Sequence, residues 1–188
     1  MLARLARQDA WGVTRDGRIA IARAIEYHVE WRDPSGTVTA GPRVDYTPIA
    51  VTAAERDAME RLISSLPPAG ASLSGGGGSS QSSTDTRRSP SVPRTSEGAY
   101  PETKPPFEER DRLGRPGAVM SATGEFWVTR NRAWNDSIPV VDVFDGSGRL
   151  ARRVRLPAHT RVIHVGSDAV YLVRKDADDL EWLVRVKR

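Results

Sequence analysis

Three arginines stand at equivalent places in the sequence and could share one chemical task. Arg23, Arg130 and Arg174 each end a short apolar run that reads as a β-strand. If these runs occupy the same place in a repeated unit, the three guanidinium groups lie at one edge of the fold. Guanidinium groups bind carboxylates and phosphates through parallel N–H donors, so this edge is a candidate site for an anionic ligand or an acidic protein surface. The alternative interpretation is that each arginine pairs with an acidic neighbour, such as Glu26 or Asp176.

Trp134 is the second kind of candidate binding residue. The other four tryptophans fall inside predicted strands, whereas Trp134 lies in a predicted loop beside Asn135 and Asp136. A loop aromatic is available for contact with a ligand in a way that a packed strand aromatic is not. The predicted ligand-binding residues are therefore Arg23, Arg130, Arg174 and Trp134.

Residues with the spacing of a known catalytic motif are lacking. The chain has no G-x-S-x-G, P-loop, H-E-x-x-H or dinucleotide-binding motif, and its three histidines are His28, His159 and His164. His28 and His164 lie within predicted strands, where packing explains them, and nothing near His159 in the sequence orients its ring. We predict no catalytic residue and no cofactor.

An acidic cluster near the end of the chain is a candidate metal site. Asp176, Asp178, Asp179 and Glu181 offer several carboxylate oxygens, which Ca²⁺ prefers, but the central glycine and closing glutamate of an EF-hand loop are missing. We interpret the cluster as a solvated connection between strands and predict no metal ion.

The elements that position these residues form a repeat. Segments 10–43, 117–156 and 160–188 each contain an apolar strand, a tight turn, a second strand ending in a basic residue, a polar loop and a third strand. Asp-Gly and Ser-Gly pairs supply the positive φ values that tight hairpins need. Each segment is therefore predicted to be an antiparallel meander, and the third segment lacks a fourth strand.

The strand composition predicts sheets that are covered on both faces. Phe126-Trp127-Val128 and Val170-Tyr171-Leu172-Val173 lack the apolar–polar alternation of a half-solvated strand. Four-stranded units of roughly 40 to 45 residues with both faces covered are typical of propeller blades. The predicted fold class is all-β: a partial β-propeller of about three blades, the last incomplete, with one short amphipathic helix and a long disordered linker.

The repeat resembles a known family. The run Glu125-Phe126-Trp127-Val128-Thr129-Arg130, followed by Val140 to Gly148 with the letters V-D-V-F-D-G-S-G, resembles the NHL-like and TolB-like six-bladed β-propellers, among them bacterial proteins of unknown function. The closing run from Leu156 to Val186 resembles the last blade of that group. A six-bladed ring needs about 250 residues, so the resemblance implies the C-terminal half of a ring. We expect either a fragment of a longer parent or self-association of two chains that completes the ring, and we favour the fragment.

Six-bladed propellers include enzymes, ligand binders and scaffolds, so the resemblance does not specify a function. We predict a non-catalytic module that binds a ligand or a protein. The alternative is a metal-assisted hydrolase of the lactonase or esterase kind in its complete form, in which Glu26, Asn131, Asn135 and Asp136 would contribute to a metal ring above the channel. Export of a full-length parent is also implied by the family.

Charge and composition limit the kinds of partner that we expect for the chain. A net charge of +4 arises from 28 basic and 24 acidic residues that are interspersed, so we predict no nucleic-acid partner. No apolar run reaches transmembrane length, and the opening residues 1–7 are too short and too charged for a secretory signal. The chain has no cysteine, so its composition does not indicate a compartment.

A helix and a linker separate the first two units. Thr52 and Glu55 form a capping box, and Met59, Leu62, Ile63 and Leu66 give an apolar stripe, which predicts a rim helix over 52–66. Residues 67–106 are rich in Gly, Ser and Pro and are predicted to be a disordered spacer. The predicted division is 1–66 (first blade and helix), 67–106 (linker) and 107–188 (two further blades).

Overall fold

The computed structural model describes residues 8–65, 101–108 and 116–188, and these form three antiparallel sheets and one helix. Sheet 1 contains β1 (Ala10–Val13), β2 (Ile19–Arg23), β3 (His28–Arg32) and β4 (Val38–Ala40). Sheet 2 contains β5 (Ala118–Met120), β6 (Phe126–Thr129), β7 (Val140–Phe144) and β8 (Leu150–Arg155). Sheet 3 contains β9 (Thr160–Val165), β10 (Ala169–Lys175) and β11 (Glu181–Lys187), and α1 spans Ala53–Ser65. The prediction of a mostly β fold built from antiparallel meanders is confirmed.

Each sheet follows the chain without crossovers. Sheet 1 has the strand order β1-β2-β3-β4, sheet 2 repeats it as β5-β6-β7-β8, and sheet 3 stops at β9-β10-β11. Among the described residues, no fourth strand pairs with β11, as the sequence predicted for the third unit.

The hairpin turns repeat as closely as the strands do. In the turn between the third and fourth strands, Asp33 N donates to Thr37 O at 3.1 Å in sheet 1 and Asp145 N donates to Arg149 O at 3.0 Å in sheet 2. The glycine before the last residue of each turn has a positive φ, 90° at Gly36 and 78° at Gly148. A type I turn followed by a left-handed residue has this geometry, which is why glycine occupies that position.

Sheet 2 lies between the other two sheets. One of its faces packs on sheet 1 through a core that includes Tyr27, Val29, Phe126 and Phe144. Its other face packs on sheet 3 through a second core that includes Trp127, Val143, Val165 and Leu172. Phe126, Trp127 and Val128 are all buried, so the predicted burial of both faces is confirmed for this strand.

The same prediction fails in sheet 3. Val170 and Leu172 are buried against sheet 2, but Tyr171 and Val173 face the other way and are only half-buried. The reason is that no described sheet covers that outer face, so sheet 3 contributes only one face to a core.

The first strands of successive sheets lie beside one another. β1 contacts β5, and β5 in turn contacts β9. The turn after β5 is joined to sheet 3 by Ala122 N, which donates to Val165 O at 2.8 Å. The sheets therefore meet along their first strands.

The helix α1 begins as predicted, with Glu55 N donating to Thr52 Oγ1 at 3.2 Å. The side chains of Leu62, Ile63 and Leu66 lie outside the described residues, and so does the segment 67–100 of the predicted linker.

The end of the predicted linker, residues 101–106, pairs with the scaffold. Thr103 bridges Ala50, and Val51 N donates to Glu102 O at 2.9 Å. The chain therefore returns at residue 103 to the place that it left at residue 50.

Candidate functional site

The described residues form a cleft of about 570 Å³ at the edge where β6 and β10 end. Five parts of the chain build it: segment 101–108 with α1, the residues just before β5, the end of β6 with the loop to β7, the connection from β8 into β9, and the end of β10 with the start of β11. We call it the rim cleft, and its polar lining residues include Lys104, Glu108, Asn131, Arg132, Trp134, Asn135, Asp136, His159, Arg161, Lys175 and Glu181. The volume is within the usual range for small-molecule sites, roughly 300 to 1,000 Å³.

Asn131 anchors the loop from β6 to β7 to segment 101–108. Its Nδ2 donates to Pro105 O at 2.9 Å and to Phe107 O at 2.7 Å. Its backbone N donates to Pro106 O at 3.2 Å. Pro105 and Pro106 lack N–H donors and cannot form an ordinary strand ladder, and Asn131 donates to the carbonyls of this segment instead.

A buried ion pair holds α1 against the same segment. Lys104 Nζ lies 2.7 Å from Glu55 Oε1, and the two side chains are 5% and 4% exposed. Lys104 Nζ also donates to Arg132 O at 2.7 Å, whereas Glu55 Oε2 is buried without a hydrogen-bond partner. The pair connects the helix to the floor of the cleft and places a carboxylate beside the Lys104 ammonium group.

Two arginines in the cleft differ in their pairing. Arg161 Nη2 lies 3.3 Å from Glu181 Oε2, and Arg161 Nε is buried with no hydrogen-bond partner. Arg132 Nη1 lies 3.3 Å from Glu108 Oε1, and its Nε donates to Asp136 O at 3.0 Å. By contrast, Arg152 on sheet 2 donates to both oxygens of Glu125, at 2.8 and 3.2 Å. The guanidinium of Arg161 therefore keeps an N–H donor that a ligand could use.

The predicted arginines lie at the ends of their second strands, but each is next to an acid. Arg23 donates to Asp9 and to Glu30, both at 2.6 Å. The hydrogen bond from Arg23 to Glu30 lowers the pKa of Glu30. Arg130 Nη1 lies 3.5 Å from Asp142 Oδ2. The pKa of Asp176 is lowered mainly by the hydrogen bond from Trp182 Nε1. The positive charge of nearby Arg174 lowers it further. Arg23 and Arg130 are paired with acids as in the alternative interpretation, with Asp9 and Glu30 in the place that Glu26 was expected to take, and Arg174 lies near Asp176.

Only one of the four predicted binding residues lines the rim cleft as described. Trp134 lines it, whereas the described lining does not include Arg23, Arg130 or Arg174. The positions next to two of them do line it, namely Thr129, Asn131, Val173 and Lys175. Because strand residues alternate between the two faces of a sheet, the neighbours of Arg130 and Arg174 line the cleft while these two arginines do not.

The expected metal ring is brought together only in part. Asn131, Asn135 and Asp136 line the rim cleft, but Glu26 does not. Within the three described ranges, no group of three or more His, Cys, Asp or Glu side chains is placed to hold a metal ion. His159 also lines the cleft in a left-handed conformation with φ 58°, held by its N–H to Ser137 O at 2.9 Å.

Lys104, Arg132 and Arg161 are site residues that sequence reasoning missed. Arg161 sits in the first strand of the third unit and Arg132 in a loop, so the repeat does not align them. Lys104 falls in the stretch predicted as linker, although the prolines at 101, 105 and 106 could have indicated a fixed crossing segment.

No family model, curated protein or solved structure matches this chain. In the part of the chain that the structure describes, no helix is long and apolar enough to cross a membrane.

Proposed function

We propose that the chain is a non-catalytic binding module of the β-propeller type, which binds a small anionic ligand in the rim cleft. Three features support the arrangement as blades. Each sheet is a meander that follows the chain, the sheets pack face to face around sheet 2, and the first strands β1, β5 and β9 lie side by side. Blades that meet around a common axis have these relations.

The buried, unpartnered Nε of Arg161 is the observation that carries the ligand proposal. A buried N–H without an acceptor costs roughly 1 to 3 kcal/mol, and a ligand oxygen in the cleft would remove that cost. Among the described residues, Arg161 forms one ion pair, of 3.3 Å to Glu181, so its guanidinium can take a carboxylate or phosphate oxygen at Nε. The half-buried Trp134 adds an aromatic surface to the same cleft.

The charges of the cleft favour a ligand with few charges over a polyanion. Glu108, Asp136 and Glu181 line the cleft together with Arg132 and Arg161. These carboxylates would repel a nucleic-acid backbone, which needs many phosphate contacts on one basic face. One acidic group beside Arg161, with an uncharged remainder toward Trp134, fits this distribution of charge.

Thermal shift with matched acids and amides tests the proposal. We expect millimolar 3-phenylpropionate or phenyl phosphate to raise the Tm of the full chain, because a ligand that binds only the folded state stabilises it by mass action. 3-Phenylpropionamide, which has the same carbon skeleton without the charge, should raise it less. Arg161→Gln should abolish the difference between the acid and the amide.

Arg149→Gln is the matched control, because Arg149 is an exposed arginine in the turn between β7 and β8 and does not line the cleft. It should respond to the acids as the native chain does. Equal Tm shifts in the native chain and in Arg161→Gln would contradict the proposed site.

A further inference from the structure

The strand β11 ends sheet 3 with an open edge. Sheets 1 and 2 each have a fourth strand beyond their third, but within residues 8–65, 101–108 and 116–188 no strand pairs with the outer side of β11. All seven residues of Glu181–Lys187 are exposed except Val184, which is half-buried. All seven also pair with β10 in one unbroken register, so the open edge is straight.

The flanking hydrogen bonds show which residues face outward. Leu180 O accepts from Asp176 N at 3.0 Å, and Arg188 N donates to Asp168 O at 2.9 Å, so the backbone of the even-numbered residues points toward β10. Along an antiparallel strand the N–H and C=O groups of alternate residues point to opposite sides. The backbone groups of Glu181, Leu183, Arg185 and Lys187 are therefore directed at the open edge.

The sequence of β11 complements itself when it is reversed. In an antiparallel pair of identical strands related by a two-fold axis, a residue faces its own copy or one an even number of positions away. With the axis at Val184, Glu181 faces Lys187 of the second strand, and this charge pair occurs twice. Trp182 then faces Val186, and Leu183 faces the aliphatic part of Arg185. An axis at Arg185 would instead place two like charges in contact.

We propose that β11 pairs with β11 of a second copy of this chain, antiparallel and centred on Val184, to join two copies of sheet 3 into one six-stranded sheet. The charge complementarity at Glu181 and Lys187 favours a second copy over an unrelated peptide. Self-complementary contact across a two-fold axis is the commonest way in which identical chains associate. The Glu181 carboxylate lies 3.3 Å from Arg161 of its own chain, so in the proposed dimer it would be shared between Arg161 and Lys187 of the second copy.

Charge reversal at the two ends of β11 tests the pairing by sedimentation velocity over a range of protein concentrations. The native chain should be a dimer. Glu181→Lys or Lys187→Glu places like charges opposite each other twice, and each should raise the dimer dissociation constant roughly tenfold or more. The double variant Glu181→Lys/Lys187→Glu restores opposite charges and should recover dimerisation, although it still lacks the Glu181–Arg161 contact.

Asp178→Lys is the control, because it makes the same charge change in the turn just before β11, where Asp178 is exposed. It should dimerise as the native chain does. Hydrogen exchange provides a second measurement: the amides of Leu183 and Arg185 should become protected as protein concentration rises, while the turn amides should not.

A native chain that is monomeric at all concentrations would overturn the proposal. It would also be overturned by a dimer that both single variants leave intact, or by one in which the amides of Leu183 and Arg185 exchange freely.

Discussion

At the residue scale, Asp142 shows how this molecule handles a buried charge. Its carboxylate is fully buried at the junction of sheets 1 and 2. Tyr27 OH donates to Oδ2 at 2.9 Å, and Arg153 Nε donates to Oδ1 at 3.0 Å. With Arg130 at 3.5 Å as a further positive charge, the carboxylate has the partners that a buried anion needs. Asp142 and Tyr27 therefore join the two sheets by a polar contact inside an aromatic cluster.

The ionisation of Tyr27 gives a test of that contact. Burial, and after it the Asp142 carboxylate, raises the pKa of Tyr27 well above its ordinary value of 10.0. The unfolded chain loses the tyrosine proton near that ordinary value while the folded chain keeps it, so Tyr27 lowers the stability as the pH rises above it. Tyr27→Phe should remove this part of the alkaline loss, while costing roughly 1 to 2 kcal/mol at neutral pH through the lost hydrogen bond.

Absorbance at 295 nm checks this expectation directly. In the folded state at alkaline pH, the native chain and Tyr27→Phe should show the same amplitude of tyrosinate, because Tyr27 does not ionise until the chain unfolds. A smaller amplitude in the variant would show that Tyr27 titrates in the fold, contrary to its burial.

The sequence placed the predicted arginines at the ends of their strands but did not reveal where their side chains point. The pairing of Arg130 with Asp142 depends on the register of β6 and β7, in which Val128 faces Asp142. The partners of Arg23 are Asp9, before β1, and Glu30, in β3, rather than the nearby Glu26. Such contacts are set by the pairing of strands, and residue spacing alone does not fix them.

At the scale of the elements, two turns of the same type differ in what surrounds their glycine. Gly36 and Gly148 hold the same position and both have positive φ, 90° and 78°. A Cβ at Gly36 would meet nothing within 4 Å, whereas a Cβ at Gly148 would lie 2.4 Å from Val29 O and 2.9 Å from Gly41 N. The turn from β7 to β8 packs directly on the backbone of sheet 1, where Trp31 Nε1 also donates to Asp145 O at 2.9 Å.

Alanine at the two glycines should separate conformational strain from steric overlap. Gly36→Ala should destabilise by roughly 1 kcal/mol, which is the cost of a left-handed alanine. Gly148→Ala carries the same cost and also forces the turn away from sheet 1, so we expect a total loss of more than about 2 kcal/mol. Urea unfolding of both variants measures the difference, and equal losses would mean that the contact of this turn with sheet 1 carries little energy.

The repeated elements were the most predictable part of the fold, because Gly-bearing turns punctuate short apolar strands at regular intervals. The rim cleft was not predictable in the same way. Lys104, Arg132 and Arg161 come from three segments that no periodicity relates, and only the folded chain brings them to one place. The open face of sheet 3 was missed for a related reason, because an apolar strand has the same sequence pattern whether one or both of its faces are covered.

At the scale of the whole molecule, sheet 2 belongs to both cores. Val128 on β6 is fully buried in the core shared with sheet 1, and Val143 on β7 is fully buried in the core shared with sheet 3. Trp127 and Val128 are adjacent on β6 and belong to different cores, so the layer between the cores is one sheet thick. Loss of either core leaves sheet 2 covered on one face only.

Matched valine-to-alanine changes on the two faces of sheet 2 should therefore act on one cooperative transition. Val128→Ala and Val143→Ala should each lower the free energy of unfolding by about 2 kcal/mol, because each removes two buried methyl groups and leaves a cavity. At a fixed protein concentration, far-UV circular dichroism and tryptophan fluorescence should give the same midpoint for each variant. Hydrogen exchange should show equal loss of protection at Ala22 in sheet 1 and Leu172 in sheet 3. If Val143→Ala weakened protection at Leu172 alone, sheet 3 would unfold by itself, and the stacking of the three sheets as one unit would be wrong.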